Sequence, residues 1–154
     1  MMLSKKSKYA LKALHYLARQ PDNQPVLIAD LAKAENIPKK FLEFILLSLR
    51  KGGILQSRVG KGGGYSLAKP DSKITIGAVL DILEGNIAPV QCLDSTNQAR
   101  CEECLDEKSC GIRLVMTDVH NALSELLNNL TLADMVERAE AAHSKQQNIV
   151  DFSI

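Results

Sequence analysis

The stretch from Leu27 to Ala68 limits the possible folds most, because it prescribes two helices, a sharp break and a glycine-tipped hairpin in close succession. Ile28, Leu31 and Ala32 fall on one face of a helix running from Leu27 to Glu35. Asn36 ends that helix, since Pro38 pushes Ile37 out of the helical region. Pro38 suits the first position of the next helix, where its missing N–H has no bond to lose. This second helix runs to about Lys51 and buries Leu42, Ile45, Leu46 and Leu49, with Gly52-Gly53 stopping it. Ile54-Leu55-Gln56-Ser57 and Tyr65-Ser66-Leu67-Ala68 then read as short strands around Arg58-Val59-Gly60-Lys61-Gly62-Gly63-Gly64. Helix, turn, helix and basic hairpin make a winged helix-turn-helix. A helix over residues 4–20 precedes them, capped by Ser4, with Tyr9, Ala10, Ala13, Leu14 and Leu17 at helical spacing and Lys5, Lys6, Lys8 and Lys12 outside.

The glycine loop has one competing reading, a nucleotide phosphate loop. That motif needs four residues between its glycines and a Ser or Thr after the lysine, whereas here Gly62 follows Lys61. Charge favours a polyanion of another kind. Residues 1–70 hold 13 Lys plus Arg against 4 Asp plus Glu, a net +9, while residues 71–154 hold 6 against 14, a net −8. A basic module joined to an acidic one points to nucleic-acid binding with a separate regulatory part. In that reading the helix over 38–51 enters the major groove, with Lys39, Lys40, Phe41 and Glu43 at its leading end. A carboxylate beside phosphates is repelled unless it accepts a hydrogen bond, most plausibly from cytosine N4, so Glu43 is the candidate reader. The alternative is that Glu43 only pairs with Lys39 or Lys40. Arg50, Lys51, Arg58, Lys61, Gly62, Gly63, Gly64 and Tyr65 complete the DNA-binding set, gripping phosphates and fixing register.

The acidic half is built differently. Thr75 to Glu84 is a short helix burying Ile76, Val79, Leu80 and Leu83 and closed by Gly85. A loop follows from Asn86 to Ser109, and a loop that long in a small protein is organised by function or ligand. Gly111 to Leu130 is then a long helix with one continuous apolar stripe: Ile112, Val115, Met116, Val119, Ala122, Leu123, Leu126, Leu127 and Leu130. With no Trp and only three Phe and three Tyr, the core must be aliphatic. A stripe this long, with only a compact winged helix to cover it, is expected to pack against a second copy of itself; burial on its own DNA-binding domain is the alternative. Thr131 caps a last helix, with Asp134 in the capping-box position, and the chain from His143 is expected to be loosely ordered, with Ile149, Val150, Phe152 and Ile154 as docking candidates. The expected division is therefore a winged helix-turn-helix over 1–70, a sensor loop and dimerisation helices over 71–142, and a tail over 143–154, in a mainly α fold with a small β-hairpin wing. No apolar run approaches the roughly 20 residues of a membrane span and no secretory signal opens the chain, so a cytoplasmic protein is expected.

Cys92, Cys101, Cys104 and Cys110 are separated by eight, two and five residues. Four thiolates in one loop can converge on an iron–sulfur cluster or on structural zinc, and the single Cys-x-x-Cys pair favours the former, since zinc ribbons use two such pairs. A regulatory disulfide is also compatible with a reducing compartment. Glu102, Glu103, Asp106 and Glu107 surround the central pair, and their field raises thiol pKa values and favours metal over a fast thiol switch. His15, His120 and His143 have no metal-binding spacing. A thiol oxidoreductase using Cys101-Glu102-Glu103-Cys104 lacks the βαβ context that makes such a pair redox-active, so an enzyme is not expected.

Several motifs together resemble the Rrf-two family of bacterial winged-helix regulators, with its IscR-like and NsrR-like members. They are Leu3-Ser4 with Tyr9-Ala10-Leu11, Phe41-Leu42-Glu43 with Leu49-Arg50-Lys51, Gly60-Lys61-Gly62-Gly63-Gly64-Tyr65, Cys110-Gly111-Ile112-Arg113 and Thr131-Leu132-Ala133-Asp134. The resemblance covers nearly the whole chain. It implies a homodimer on a palindromic double-stranded operator, the long helix as dimer seam, and a loop-bound cluster of the 2Fe–2S type tuning DNA affinity, in a regulator that acts as a repressor. It also implies three loop cysteines as ligands, matching Cys92, Cys104 and Cys110. The usual fourth ligand is a histidine three residues after the last cysteine or an acidic residue near the start of the partner's first helix. Those positions here are Arg113 and Lys8. Cys101 then stands as the substitute, or the site holds zinc or nothing and a thiol switch or a partner protein of sulfur metabolism controls the regulator.

Overall fold

The computed structural model describes residues 3–96 and 100–152, in six helices and a two-stranded hairpin. Helix α1 spans Lys5–Ala18, α2 Ile28–Glu35 and α3 Lys39–Lys51; strands β1 and β2 are Leu55–Arg58 and Gly64–Leu67; α4 spans Ile76–Glu84, α5 Gly111–Asn129 and α6 Leu132–Phe152. Short 3-10 turns stand at Pro21–Asn23, Asp71–Lys73 and Gln91–Leu93. No helix among the described residues is long and apolar enough to cross a membrane.

Local chemistry explains the helix ends. Ser4 Oγ accepts from the Ser7 amide at the start of α1, and Thr75 Oγ1 accepts from the Ala78 amide at the start of α4. Asn36 closes α2 in the left-handed conformation, φ 53° and ψ 51°, which lets α3 restart at a new angle three residues later. Pro38 sits one position earlier than the sequence suggests: its ψ of 123° is extended, so it flanks α3 rather than opening it. At α6 the Thr131 hydroxyl accepts from the Asp134 amide at 3.1 Å while the Asp134 carboxylate accepts from the Thr131 amide at 2.9 Å, a reciprocal capping box.

One aliphatic core unites the chain. Leu14 and Leu17 of α1, Leu31 of α2, Leu42, Ile45, Leu46 and Leu49 of α3, Ile54 and Leu55, Val79 and Leu83 of α4 and Leu132 of α6 all belong to it. Helix α1 lies at the centre, packed on α2, α3, α4 and α6. Backbone pairing staples the second half on: the Ile76 amide donates to Leu130 O and the Leu132 amide to Ile74 O, each at 2.8 Å. Each large aliphatic side chain buried here contributes roughly 1.5–3 kcal/mol.

The strands pair antiparallel in the register Leu55 with Leu67 and Arg58 with Gly64, one residue later in β1 and one earlier in β2 than the sequence suggests. Val26 adds a bridge to Tyr65, with reciprocal amide-to-carbonyl bonds of 2.9 and 2.8 Å, and so ties the segment before α2 to the wing.

Helix α6 also departs from expectation. Helical backbone continues through Phe152, where the sequence reading placed a loosely ordered tail from His143. The segment Ala139–Gln147 holds three alanines, a lysine and two glutamines and no Gly or Pro, so nothing interrupts the helix. Its side chains from Glu137 to Asp151 are exposed, including Ile149 and Val150; Ile154 lies outside the described residues.

Leu42 is fully buried where α3 meets α1, so Leu42→Ala is expected to lower unfolding free energy by about 2–5 kcal/mol in urea titration. A loss below about 1 kcal/mol would show that α3 is not held by this face.

Candidate nucleic-acid interface and cysteine loop

Burial of Leu42, Ile45, Leu46 and Leu49 leaves the opposite face of α3 outward. Lys39, Lys40, Glu43, Arg50 and Lys51 are all exposed. Among the described residues Glu43 forms no ion pair with Lys39 or Lys40, so the alternative of simple helix-surface pairing finds no contact. Phe41 is different. Its ring meets that of Tyr9 edge-on, 5.6 Å between centroids and 76° between planes, which pins the start of α3 to α1 and leaves only part of the ring exposed. Phe41 therefore has a packing role, and only its outer edge is available to a ligand.

Phe44 is the candidate that the sequence reading passes over. It is 64 % exposed on the same face as Lys40 and Glu43, an unusual placement for a phenylalanine in a soluble helix. The signal was available in its spacing: four residues after Lys40, it falls opposite the buried Leu42–Leu49 stripe.

The wing divides into a tip and a base. Arg58, Val59, Lys61 and Gly62 are exposed, Val59 almost completely. Gly63 is buried and Tyr65 packs partly against the core, so this end of the hairpin builds the wing rather than facing outward. Gly64 approaches the segment before α2 closely: its φ is 136°, and a Cβ there would lie 2.3 Å from Val26 O. Arg50 joins wing and helix, its Nη1 donating to Ser57 Oγ at 3.0 Å. This bond links α3 to β1, with cations at both outer ends. Elsewhere on the basic half, Lys12 Nζ donates to Glu35 O at 2.8 Å and closes the end of α2, so this lysine is structural.

The cysteine loop leaves α4 at Gly85 and enters α5 at Cys110. Its entrance is fastened to α1: the Ser4 amide and Ser7 Oγ both donate to Glu84 Oε1, at 3.0 and 2.6 Å. These hydrogen bonds hold the Glu84 carboxyl below the ordinary carboxylate range. Inside the loop, hydrogen bonds are local. Asn86 Nδ2 donates to Leu93 O, the Asp94 carboxylate accepts from the Thr96 amide and hydroxyl, and Ser109 Oγ donates to Asp106. His120 on α5 donates from Nδ1 to Ile87 O at 3.0 Å.

All four cysteines are free thiols; Cys101 is exposed, and Cys92, Cys104 and Cys110 are half-buried. The Cys104 amide donates to Cys101 O at 3.0 Å, forming a turn. Partial burial raises the Cys104 thiol pKa, and Cys110, Glu107 and Cys101 push it the same way against Arg100. Cys101, Cys104 and Cys110 are therefore electrostatic neighbours, while Cys92 lies on the 3-10 turn before them. No three acidic, His or Cys side chains among the described residues are gathered closely enough to hold a metal ion. Cys110 is the best fixed, since its carbonyl accepts from the Leu114 amide in the first turn of α5. Arg113, in the same turn, has a buried Nε with no hydrogen-bond partner among the described residues.

Helix α5 buries no residue fully. It packs on α4, and of its apolar stripe Met116, Leu123, Leu127 and Leu130 are half-buried, while Ile112, Val115, Val119 and Leu126 are each between 44 and 68 % exposed.

Comparison with known proteins fits this arrangement. The family described as "Rrf2: Iron-dependent Transcriptional regulator" matches residues 3–138. The chain belongs to the Rrf2 family. It is similar to an rrf2-like HTH-type transcriptional regulator of Rhodobacter capsulatus, 40 % identical over 144 residues that cover 92 % of this chain and 96 % of that protein. It is also similar to the HTH-type transcriptional regulator IscR of Erwinia tasmaniensis, 31 % identical over 140 residues, 91 % of this chain and 81 % of that one. Among solved structures it is similar to CymR, the global cysteine regulator of Bacillus subtilis, at a TM-score of 0.73 and 27 % identity over 90 % of this chain and 98 % of that one. Rrf2 proteins are transcriptional regulators, not enzymes, and DNA binding follows for this chain. The winged-helix fold and the family likeness read from the sequence are both borne out.

A methyl group at Gly64 would collide with the Val26 backbone, and an alanine at this φ is strained besides. Gly64→Ala is expected to destabilise the chain by more than about 1 kcal/mol and to weaken binding to every DNA alike. Unchanged melting and DNA affinity would show that the Val26–Tyr65 bridge does not hold the wing.

Proposed function

We propose that this chain is a homodimeric, sequence-specific DNA-binding repressor, acting in the cytoplasm, whose cysteine loop sets its affinity for a palindromic operator. The observation that carries the reading is the link between α3 and wing through Arg50 and Ser57, with exposed cations at both ends and Glu43 and Phe44 between them. Lys39, Lys40, Lys51, Arg58 and Lys61 meet phosphates and fix register without reading sequence. Glu43 accepts from cytosine N4, and Phe44 lies against a thymine methyl, the apolar feature of the major groove. Gly62 lets the wing backbone approach the phosphates.

The exposed face of α5 supports pairing with a second copy. Val115, Val119 and Leu126 recur along one side, and self-association along this seam would set the spacing of two recognition helices.

For the loop, the donor chemistry fits an iron–sulfur centre: four soft thiols within nineteen residues, and a likeness to IscR proteins. Cys92, Cys104 and Cys110 would hold it, with Cys101 as fourth ligand in place of the residues that Arg113 and Lys8 replace. When bound, such a group supplies a centre that responds to electrons, oxygen and nitric oxide. The chain's own part is mechanical. Cys110 is the N-cap residue of α5 and Glu84 anchors the other end of the loop to α1, so a change in loop conformation bears on both the seam and the DNA-binding half.

A second reading keeps the DNA-binding role and removes the cluster. The thiols are not gathered among the described residues, and neither of the family's usual non-cysteine ligands is present. Zinc, a thiol switch or a partner protein of sulfur metabolism would then control the regulator, a reading to which the likeness to a cysteine regulator adds weight.

Selection from random duplexes at fixed salt tests the proposal. The protein is expected to enrich one palindrome with half-sites a helical turn, about 34 Å, or a multiple apart. Glu43→Gln is expected to enrich a different sequence, and Lys61→Ala to weaken all of them equally. Equal affinity for every duplex of one length would remove sequence-specific binding, and an unchanged ranking for Glu43→Gln would remove its reading role.

A further inference from the structure

The loop carries one more thiol than a three-cysteine ligand set needs, and that thiol is the most accessible of the four. Cys101 is exposed, whereas Cys92, Cys104 and Cys110 are half-buried. Its neighbour in the chain fold is Cys104, whose amide donates to Cys101 O at 3.0 Å and closes a turn with Glu102 and Glu103 at its centre. The two cysteines stand at the ends of a four-residue turn, where the Cα atoms lie closer than about 7 Å, the spacing a disulfide requires.

Cys110 is the competing partner for Cys104. It is tied down as the residue that starts α5, its carbonyl accepting from the Leu114 amide, and five residues separate it from Cys104. Cys110 acts more strongly than Cys101 on the Cys104 thiol, but it is held at the start of α5, whereas Cys101 is exposed, is separated by only two residues and closes the smaller ring.

We propose that in the metal-free protein Cys101 and Cys104 form a reversible disulfide, and that this bond makes the oxidised loop unable to accept a metal centre. The proposal rests on the cysteine-loop reading given above and adds to it a second, mutually exclusive state of the same residues. With hydrogen peroxide as oxidant, the Cys101 thiolate attacks one peroxide oxygen, the O–O bond breaks, and a sulfenic acid and one water form. The Cys104 thiolate then attacks the Cys101 sulfur, the S–S bond forms and the second water leaves. Two thiols lose two protons and two electrons in total, and one peroxide becomes two waters. Only Cys92 and Cys110 remain as thiols, too few for a cluster held by four protein ligands. A dithiol reductant restores the starting state.

The sequence provides a direct readout. Trypsin cuts after Arg100, Lys108 and Arg113, so Cys101 and Cys104 share the peptide 101–108 while Cys110 lies alone in 109–113. Full-length, metal-free protein would be treated with peroxide, alkylated, digested and analysed by mass spectrometry. The expected result is peptide 101–108 lighter by two hydrogens and carrying no alkyl group, with both alkylation sites recovered after dithiothreitol. The Cys104→Ser protein is expected to lose that species. In parallel, reduced protein titrated with Co²⁺ is expected to develop thiolate-to-cobalt absorption that the oxidised protein lacks. A crosslink between peptides 101–108 and 109–113, two alkylated thiols after oxidation, or equal cobalt absorption in both states would overturn the proposal. An absence of iron and sulfide in anaerobically isolated protein would instead count against the cluster reading, and would leave the peptide result standing.

Discussion

The position of helix α3 is set by burial of Leu42, Ile45, Leu46 and Leu49 against α1 and the base of the wing, and the outward face takes its geometry from that contact. Those four side chains form the inner stripe of a helix only 13 residues long, so the remaining positions have nowhere to point but outward. The Tyr9–Phe41 edge contact fixes the leading end of the helix, and Arg50 to Ser57 fixes the trailing end to β1. A helix held at both ends and along one side can present Lys40, Glu43 and Phe44 with the definition that reading a groove demands, whereas a loop could not. The wing is held just as firmly at its base, by Val26 and Tyr65, and is free only at Arg58–Gly62.

The acidic half is packed into this unit through α4 and α6. Leu132 enters the common core, Ile74 and Leu132 pair by backbone, and Glu84 takes two hydrogen bonds from the first residues of α1. Both ends of the cysteine loop are thus anchored, and Asn86, Asp94 and Asp106 make local hydrogen bonds within it. Cys110 is the mechanical end of that element, since a displacement there acts on the first turn of α5.

Much of the architecture is legible from residue types. Pro38 and Asn36 mark the break between α2 and α3, Ser4, Thr75 and Thr131 announce helix starts, and the glycines of 60–64 announce the hairpin. The shifts are small and have causes. The strands move by one residue because Arg58 pairs with Gly64, whose missing Cβ admits the Val26 backbone, and Pro38 stands outside α3 with an extended ψ. The end of α6 is less legible, because a polar segment without a packing face reads as a tail even when its residues are good helix formers. At the site, Lys39, Lys40 and Glu43 are exposed as expected, whereas Phe41, Gly63 and Tyr65 turn out to serve packing. Phe44 is legible only from its helical position, opposite the buried stripe. The arrangement of the four cysteines was beyond reach, since a loop without periodicity carries no sequence signal of which thiols meet.

The central claim is that the state of the cysteine loop sets the affinity of the winged helix for DNA. The most direct measurement is the operator affinity of anaerobically isolated protein, with iron and sulfide counted per chain, before and after its metal is removed by a chelator at fixed salt. The account predicts stoichiometric iron and sulfide and a change in affinity of roughly 5- to 150-fold, the range of an ordinary allosteric coupling. Identical affinity in the two states would contradict it and leave the loop a structural appendage.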